Sequence, residues 1–286
     1  MRLQGVWLPI VTPFLHNQID FSSLKKLIDY YIAKGIHGII PLGTTGESPT
    51  ITDTEYEQII AVTVEYVNNR VPVIAGLGGN DTQKLIQKVK TIEKYNLNGI
   101  LSVCPYYSRP SQNGIYEHFR AVSESTDLNI VIYNIPYRTG INIENETIYR
   151  LAECTNIVGL KDSCGDIKQT MSLLLKPPAN FSILTGEDIL YYVSLALGGA
   201  GGILASAHLE TETFINIYNK LKANDQQSAL EDWKRLSTII PLLFAEPNPT
   251  PIKYLLFKLG LIHSMETRLP LTPVSAGLQA KLDRLI

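Results

Sequence analysis

Eight short runs of β-branched and aliphatic residues recur along the chain, at 6–11, 38–42, 71–77, 99–103, 130–133, 157–160, 181–184 and 201–204. Their apolar positions are largely consecutive rather than alternate, as in strands of a parallel sheet buried on both faces. Between the runs the apolar positions switch to helical spacing, as in Leu24, Leu27, Ile28, Tyr31 and Ile32, or Leu85, Val89 and Ile92. Strand and helix therefore alternate, and each crossover returns the next strand parallel to the last. Eight such units within 1–224 predict an α/β fold of the (β/α)8 TIM-barrel type, whose common length is about 250 residues. A doubly wound sheet is the structural alternative, but it uses fewer strands and puts a glycine-rich nucleotide turn after the first, and 6–14 holds none. The remaining 225–286 shows helical patterns at 229–240 and 251–259, broken by the proline-rich 246–251, and no further strand run. It reads as a C-terminal helical extension packed on the barrel.

Composition narrows the class of partner. Hydrophobic residues make up 45% of the 286 and charged residues 18%, against about 25% charged in an average globular chain. Such a chain buries a large core and is not disordered. The 25 Lys+Arg and 27 Asp+Glu give a formal net charge of -2 with no basic cluster, so the attraction that nucleic acid or an anionic membrane requires is missing. A small-molecule partner is expected instead. The stretch 189–209 runs 21 residues without a charge, enough in length to span a bilayer. Gly198, Gly199, Gly201 and Gly202 cut it, and Glu187, Asp188 and Glu210 rather than basic residues flank it. It reads as a buried helix, a glycine turn and a buried strand. At the N-terminus, 1–14 has Arg2 as its single charge and is cut by Pro9 and Pro13, which makes no signal-peptide core. Cys104, Cys154 and Cys164 form no C-x-x-C pair, and His16, His37, His118, His208 and His263 fall in no ligand spacing. A reducing cytoplasm, no disulfide framework, no metal site and no cofactor are expected.

Active sites of (β/α)8 barrels lie at the C-terminal ends of the strands. After the second run comes Gly43-Thr44-Thr45-Gly46-Glu47, a turn whose hydroxyls and free backbone N–H groups can hold a carboxylate; taken alone, it could equally cap a helix. The fifth run ends in Tyr133-Asn134-Ile135-Pro136-Tyr137-Arg138-Thr139-Gly140. There the tyrosine could relay protons and the arginine clamp a carboxylate in bidentate fashion, although singly they would pass for a core aromatic and a solvated loop charge. The sixth run leads directly into Lys161. An amine held inside a barrel mouth is partly desolvated, which lowers its pKa and frees its lone pair for a carbonyl; an isolated lysine there could simply open a loop. Lysine, tyrosine, hydroxyl turn and arginine at neighbouring strand ends together point to Schiff-base chemistry on a 2-oxo acid.

At these residues the chain resembles the pyruvate-dependent lysine-aldolase superfamily and, within it, most closely the 4-hydroxy-tetrahydrodipicolinate synthase family. The G-T-T-G-E turn at 43–47 and the Y-N-x-P segment at 133–136 mark the superfamily. More specific to the synthases are Pro105-Tyr106-Tyr107-x-x-Pro110, Arg138-Thr139-Gly140, Glu246-Pro247-Asn248-Pro249 and Arg268-Leu269-Pro270-Leu271-Thr272-Pro273. The likeness runs from Gly5 to about Leu271. It implies a cofactor-free lyase condensing pyruvate with L-aspartate-4-semialdehyde on the diaminopimelate route to lysine, working as a cytoplasmic homotetramer built as a dimer of dimers. It further implies that Lys161 forms the Schiff base, that Tyr133 transfers protons, and that Thr44 connects Tyr133 to Tyr107, which reaches into a neighbouring subunit. Thr45 and Gly46 would hold the pyruvate carboxylate, Arg138 the carboxylate of the aldehyde substrate, and Gly186 and Ile203 would line the pocket.

Two segments depart from the synthase pattern. Lys161-Asp162-Ser163-Cys164-Gly165-Asp166 looks more like the 4-hydroxy-2-oxoglutarate aldolases, and Ile203-Leu204-Ala205-Ser206-Ala207-His208 differs from the usual I-S-V-x-x-N. They keep open a pyruvate aldolase acting on a 4-hydroxy-2-oxo acid; a barrel that binds a 2-oxo acid as a sensor, without turnover, is a third reading. Arg138 favours the synthase, because the aldolase branches generally lack an arginine there. The resemblance also matches Ser48, Pro49, Asp53, Tyr56, Asn80, Lys84 and Tyr106 to the inhibitory L-lysine site of sensitive synthases. Lys84 stands where those carry a glutamate, so it would repel a ligand's ammonium group, with Asp53 restoring one acidic contact. Weak or absent inhibition by L-lysine is expected, unless Lys84 is merely a surface lysine on an exposed helix face.

Overall fold

The computed structural model describes residues 3–286; Met1 and Arg2, where the expectation about a leader begins, lie outside the described residues. Eight strands, β1 (Gly5–Leu8), β2 (Gly38–Ile39), β3 (Ile74–Gly76), β4 (Gly99–Val103), β5 (Asn129–Asn134), β6 (Ile157–Asp162), β7 (Ser182–Thr185) and β8 (Gly201–Ile203), form one sheet in the order β2-β1-β8-β7-β6-β5-β4-β3. Ile39 bridges in parallel to Val73, immediately before β3, and its N–H donates to Pro72 O at 3.0 Å. That link joins the two ends of the strand order and gives the expected (β/α)8 barrel. Each strand overlaps one of the eight apolar runs. β2 is the shortest relative to its run, because the chain leaves the sheet and reaches Leu42 in a left-handed conformation, φ 62°. A two-stranded hairpin, Phe14–Leu15 with Gln18–Ile19, was not expected. Its turn is His16-Asn17, both at positive φ, a connection that lacks the Asn-Gly or Asp-Gly signal by which such turns are found in sequence.

The chain divides into two compact units. One contains Ile74–Ile203 and the segment ending at Gly5; three of its helices begin where a side chain satisfies the first free N–H groups. Asp81 accepts from Lys84 N–H ahead of Thr82–Ile92, Ser111 from Gly114 N–H ahead of Gln112–Glu124, and Asp166 from the N–H groups of Lys168 and Gln169 ahead of Ile167–Leu175. The helix Thr82–Ile92 buries Leu85, Val89 and Ile92, the face that its spacing predicts. Within this unit β6 is buried at every position, and the register aligns Val103 with Tyr133, Tyr133 with Lys161, and Lys161 with Leu184. The uncharged stretch 189–209 resolves into a 3-10 turn at Asp188–Leu190, the helix Tyr191–Ala196, Gly198 at φ 96°, and β8. Among the described residues no helix is long and apolar enough to cross a membrane.

The other unit contains Val6–Val73 and Leu204–Ile286. After Lys222 it is helical, through Gln226–Leu243, Thr250–Lys258 and Ala276–Leu282, with no strand among its described residues beyond β8. The helix Gln226–Leu243 buries Ala229, Trp233, Leu236, Ile240 and Leu243, one stripe at helical spacing.

Backbone proximity makes glycine obligatory at position 201. A Cβ at Gly201 would run into the Gly5 carbonyl oxygen and lie 2.6 Å from Gly5 N, whereas Gly277 on the helix Ala276–Leu282 faces open space. Gly201→Ala is therefore expected to destabilise the fold by about 1–3 kcal/mol through overpacking. Gly277→Ala should instead stabilise it by about 0.5 kcal/mol through the unfolded state. Urea unfolding midpoints of the two variants check the contrast.

Candidate active site

β6 delivers Lys161 almost completely inside the fold, with 7% of its surface exposed. Its register partner on β5 is Tyr133, and since opposed residues of parallel strands project to the same face, Lys161 Nζ lies 4.1 Å from the centre of the Tyr133 ring. Burial is the main reason that the ammonium is destabilised, pulling its pKa to about 8; the Arg138 charge works in the same direction, and Asp188 and Glu187 work against it. The Tyr133 phenol is held far above its ordinary value, again chiefly by burial. Glu187, half-buried and beside Asp188, holds its proton more tightly than an exposed carboxylate. Lysine, phenol and carboxylates thus form one desolvated cluster at the ends of β5, β6 and β7.

Gly186 is what leaves room for it. Its N–H donates to Asp162 O at 2.7 Å, and a Cβ there would collide with Ser163 Oγ and lie 2.6 Å from Lys161 Cε. The residues by which this loop departs from the synthase pattern are tied to one another. Asp162 accepts from Thr170 Oγ1 at 2.5 Å and from Cys164 N–H at 3.1 Å, and Cys164 Sγ lies 3.3 Å from Thr170 Oγ1. Burial and the Asp162 charge push the Cys164 thiol up to about 11, so it stays protonated.

Arg138 sits in the single-turn helix Pro136–Thr139 that follows β5, its guanidinium carbon 5.5 Å from the centre of the Tyr137 ring. Thr139 locks this turn by donating from Oγ1 to Ile135 O at 3.1 Å and Ile141 O at 2.8 Å. Its own carbonyl accepts from Tyr107 N–H at 3.4 Å. Tyr107 stands at φ 71° with 90% of its surface exposed, and the preceding Tyr106 carbonyl accepts from Asn80 Nδ2 at 3.3 Å. Ile203 ends β8 and is buried.

The hydroxyl turn belongs to the other compact unit. Gly46 N–H donates to Gly43 O, Glu47 N–H donates to Thr44 O, and the Gly46 carbonyl accepts from Thr12 Oγ1 at 2.7 Å. A Cβ at Gly46 would approach Leu42 N to 2.9 Å, so the turn needs glycine there. Thr45 is buried and accepts from Asn248 Nδ2 at 2.9 Å. Glu47, at φ 55°, sends its carboxylate down to Lys253, an ion pair with both side chains completely buried; its second oxygen accepts from Arg268 N–H at 3.0 Å. Lys253 also donates to Glu266 O at 2.8 Å and lies over the Phe14 ring, and burial draws its pKa down to about 8 despite Glu47. The turn is therefore braced by residues of the helical extension.

Sequence reasoning found Lys161, Tyr133, Gly186 and Arg138, which the fold brings to one region, and Tyr107 and Ile203 in the same unit. It found Thr44, Thr45 and Gly46 on the turn. It missed Ser163, Glu187 and Asp188 around the lysine, and Lys253 beneath the turn. Glu187 and Asp188 follow the seventh run as Lys161 follows the sixth, and that position was the available signal. Lys253 lies in a short helix whose residues Thr250 to Leu256 are all buried, and its helical spacing in the sequence gave none. Among the described residues no group of three or more His, Cys, Asp or Glu could hold a metal ion.

The model of the dihydrodipicolinate synthetase family matches residues 2–286. The 4-hydroxy-tetrahydrodipicolinate synthase 2 of Clostridium acetobutylicum is 56% identical over 286 residues, which cover 100% of both chains. Dihydrodipicolinate synthase from Thermotoga maritima has a TM-score of 0.96 at 37% identity, over 100% of this chain and 98% of that one. The chloride-inhibited dihydrodipicolinate synthase of Acinetobacter baumannii, solved in complex with pyruvate, has a TM-score of 0.95 at 35% identity, over 99% and 97%.

The depressed lysine can be tested without substrate. Trace acetylation by acetic anhydride, followed by mass spectrometry at the Lys161 peptide, should give a reactivity midpoint of about 8 rather than the ordinary 10.5. Removing a neighbouring positive charge favours the ammonium, so Arg138→Ala should move the midpoint upward. A midpoint at the ordinary value in the unaltered chain would mean that Lys161 is not desolvated.

Proposed function

This chain belongs to the dihydrodipicolinate synthetase family, and from that premise we propose that it is a class I aldolase-type lyase forming 4-hydroxy-tetrahydrodipicolinate from pyruvate and L-aspartate-4-semialdehyde, on the diaminopimelate route to lysine. The observation that carries this reading is the buried Lys161 amine against Tyr133, with its pKa near 8. The amine attacks the pyruvate C2 carbonyl and water leaves, giving an imine. Loss of a C3 proton produces an enamine, whose carbon attacks the aldehyde. The amino group of the former semialdehyde then displaces Lys161 as the ring closes.

In this reading Tyr133 moves protons at the imine, Thr44 links it to Tyr107, and Thr45 and Gly46 hold the pyruvate carboxylate. Arg138 takes the carboxylate of the semialdehyde, while Gly186 and Ile203 line the pocket. Bidentate guanidinium binding discriminates strongly against aldehydes without a carboxylate in that place. The exposed phenol of Tyr107 on its left-handed backbone supports completion of a neighbouring subunit's site. The exposed apolar face of Ile167, Met171 and Leu175, spaced four residues apart on one helix and accompanied by Ile189 and Val193, supports a second contact between copies. Together they favour a homotetramer, a dimer of dimers, in the cytoplasm. Lys84 is exposed and only 3.9 Å from Asp81, which supports weak sensitivity to L-lysine.

Borohydride added with pyruvate should leave one reduced pyruvate unit on the Lys161 peptide, and Lys161→Ala should lose both trapping and nearly all turnover with its fold intact. Substantial turnover in that variant would mean that another group does the chemistry. Coupled assays decide the second substrate: faster consumption of glyoxylate than of aspartate semialdehyde would favour a 4-hydroxy-2-oxo acid aldolase. Mixed oligomers of inactive Lys161→Ala and Tyr107→Phe chains should regain activity if subunits share a site. Initial rates should change little with millimolar L-lysine; strong inhibition at sub-millimolar lysine would overturn the regulatory expectation.

A further inference from the structure

The segment Glu246-Pro247-Asn248-Pro249 marks the sequence and has no part in the chemistry above. It is pinned on both sides. The Glu246 carboxylate accepts from Ser275 Oγ and, at 3.0 Å, from Ser275 N–H, just ahead of the helix Ala276–Leu282. The Pro247 and Pro249 carbonyls accept at 2.9 Å from the N–H groups of Thr250 and Lys253, at the start of the helix Thr250–Lys258. Asn248 reaches away from this frame to the hydroxyl turn, which belongs to the same compact unit. Its Nδ2 donates to Thr45 Oγ1 at 2.9 Å, and its Oδ1 is buried with no partner among the described residues.

A hydroxyl has one hydrogen to give and two lone pairs with which to accept. Because the Thr45 oxygen accepts from Asn248, its hydrogen must point elsewhere, and no acceptor among the described residues takes it. Thr45 is only 3% exposed, so this is a buried donor left unspent. Such donors are costly and rare in a finished protein, and a ligand that accepts the bond removes the cost. The rest of the turn is committed otherwise. The N–H groups of Gly46 and Glu47 donate to Gly43 O and Thr44 O, Thr12 Oγ1 takes the Gly46 carbonyl, and Lys253 takes the Glu47 carboxylate. That last pair also matches the charge of the one acid in the turn, which would otherwise repel an anion.

We propose that Asn248 is a positioning residue for the 2-oxo acid: by donating to Thr45 Oγ1 it reserves the Thr45 hydroxyl hydrogen for the substrate's carboxylate. The inference rests on the reading that Thr45 holds the carboxylate of pyruvate. An asparagine turned the other way would take that hydrogen with its own oxygen, and the hydroxyl would offer a carboxylate lone pairs instead of a donor. An aspartate could only accept, and an alanine would leave the hydroxyl free to rotate. Because the bond from Thr45 ends on a charged oxygen, it is about twice as strong as one to a neutral acceptor. Asn248 therefore governs preference for the acid over neutral 2-oxo compounds.

Borohydride trapping at Lys161 on the intact protein, without semialdehyde and over a range of pyruvate or methyl pyruvate concentrations, tests this. Asn248→Ala should raise the pyruvate concentration for half-maximal trapping about tenfold, and that for methyl pyruvate by about twofold at most. Trapping at saturation, the reactivity midpoint of Lys161 and the melting temperature should stay at the parent values. Thr45→Val should weaken pyruvate at least as much, and adding Asn248→Ala to it should change nothing further, because the asparagine acts through the hydroxyl. Parent affinity for pyruvate in Asn248→Ala overturns the inference, as do equal weakening of both ligands or additive effects in the double variant. Should the alanine variant fail to fold, a folded Asn248→Asp protein with parent affinity overturns it equally. Unchanged pyruvate affinity in Thr45→Val removes the carboxylate reading and this inference with it, whereas a parent that traps no pyruvate refutes the proposed function itself.

Discussion

An amine attacks a carbonyl only through a free lone pair, and at neutral pH an ordinary lysine has almost none to offer. The arrangement around Lys161 follows from that constraint. Solvent must be excluded around the amine, which is why it projects from a strand buried at every position rather than from a loop. Exclusion alone would leave an uncompensated charge whenever the lysine is protonated, and Glu187 and Asp188 moderate that cost without erasing it. The result is an amine whose pKa lies near 8 rather than fully neutral, the condition that the Schiff-base role proposed for Lys161 requires. Gly186 completes the arrangement by omission, since any side chain there would displace the lysine's own methylenes.

Most of the fold could be read from the chain because a buried parallel sheet leaves a repeated signature. Each of the eight apolar runs became a strand, and the ends of the fifth and sixth carried Tyr133 and Lys161 as the barrel geometry requires. What could not be read were contacts made by residues whose local pattern is ordinary. Lys253 lies on a helix face that would suit any lysine, yet it is completely buried against Glu47. The hairpin at 14–19 turns through His16-Asn17, whose positive φ values are unadvertised by glycine. Ser163 looked like a change of specificity, whereas its complete burial beside the Gly186 backbone and the lysine side chain is visible only in three dimensions.

The departures from the synthase pattern also gain a physical description. Asp162 and Cys164 are engaged within their own loop, through Thr170 and a backbone N–H, and so rigidify the exit of β6.

The buried pair of Glu47 and Lys253 joins residues 206 positions apart in the chain. A protein emerging from the ribosome presents Glu47 long before Lys253 exists, and the turn that carries Thr44 to Gly46 remains without its counter-charge throughout that interval. Brace and turn are therefore made at different times. An unfinished chain can expose the strand that carries Lys161, but the turn at 43–47 lacks the support that Lys253 gives Glu47 until almost the last helix has been made.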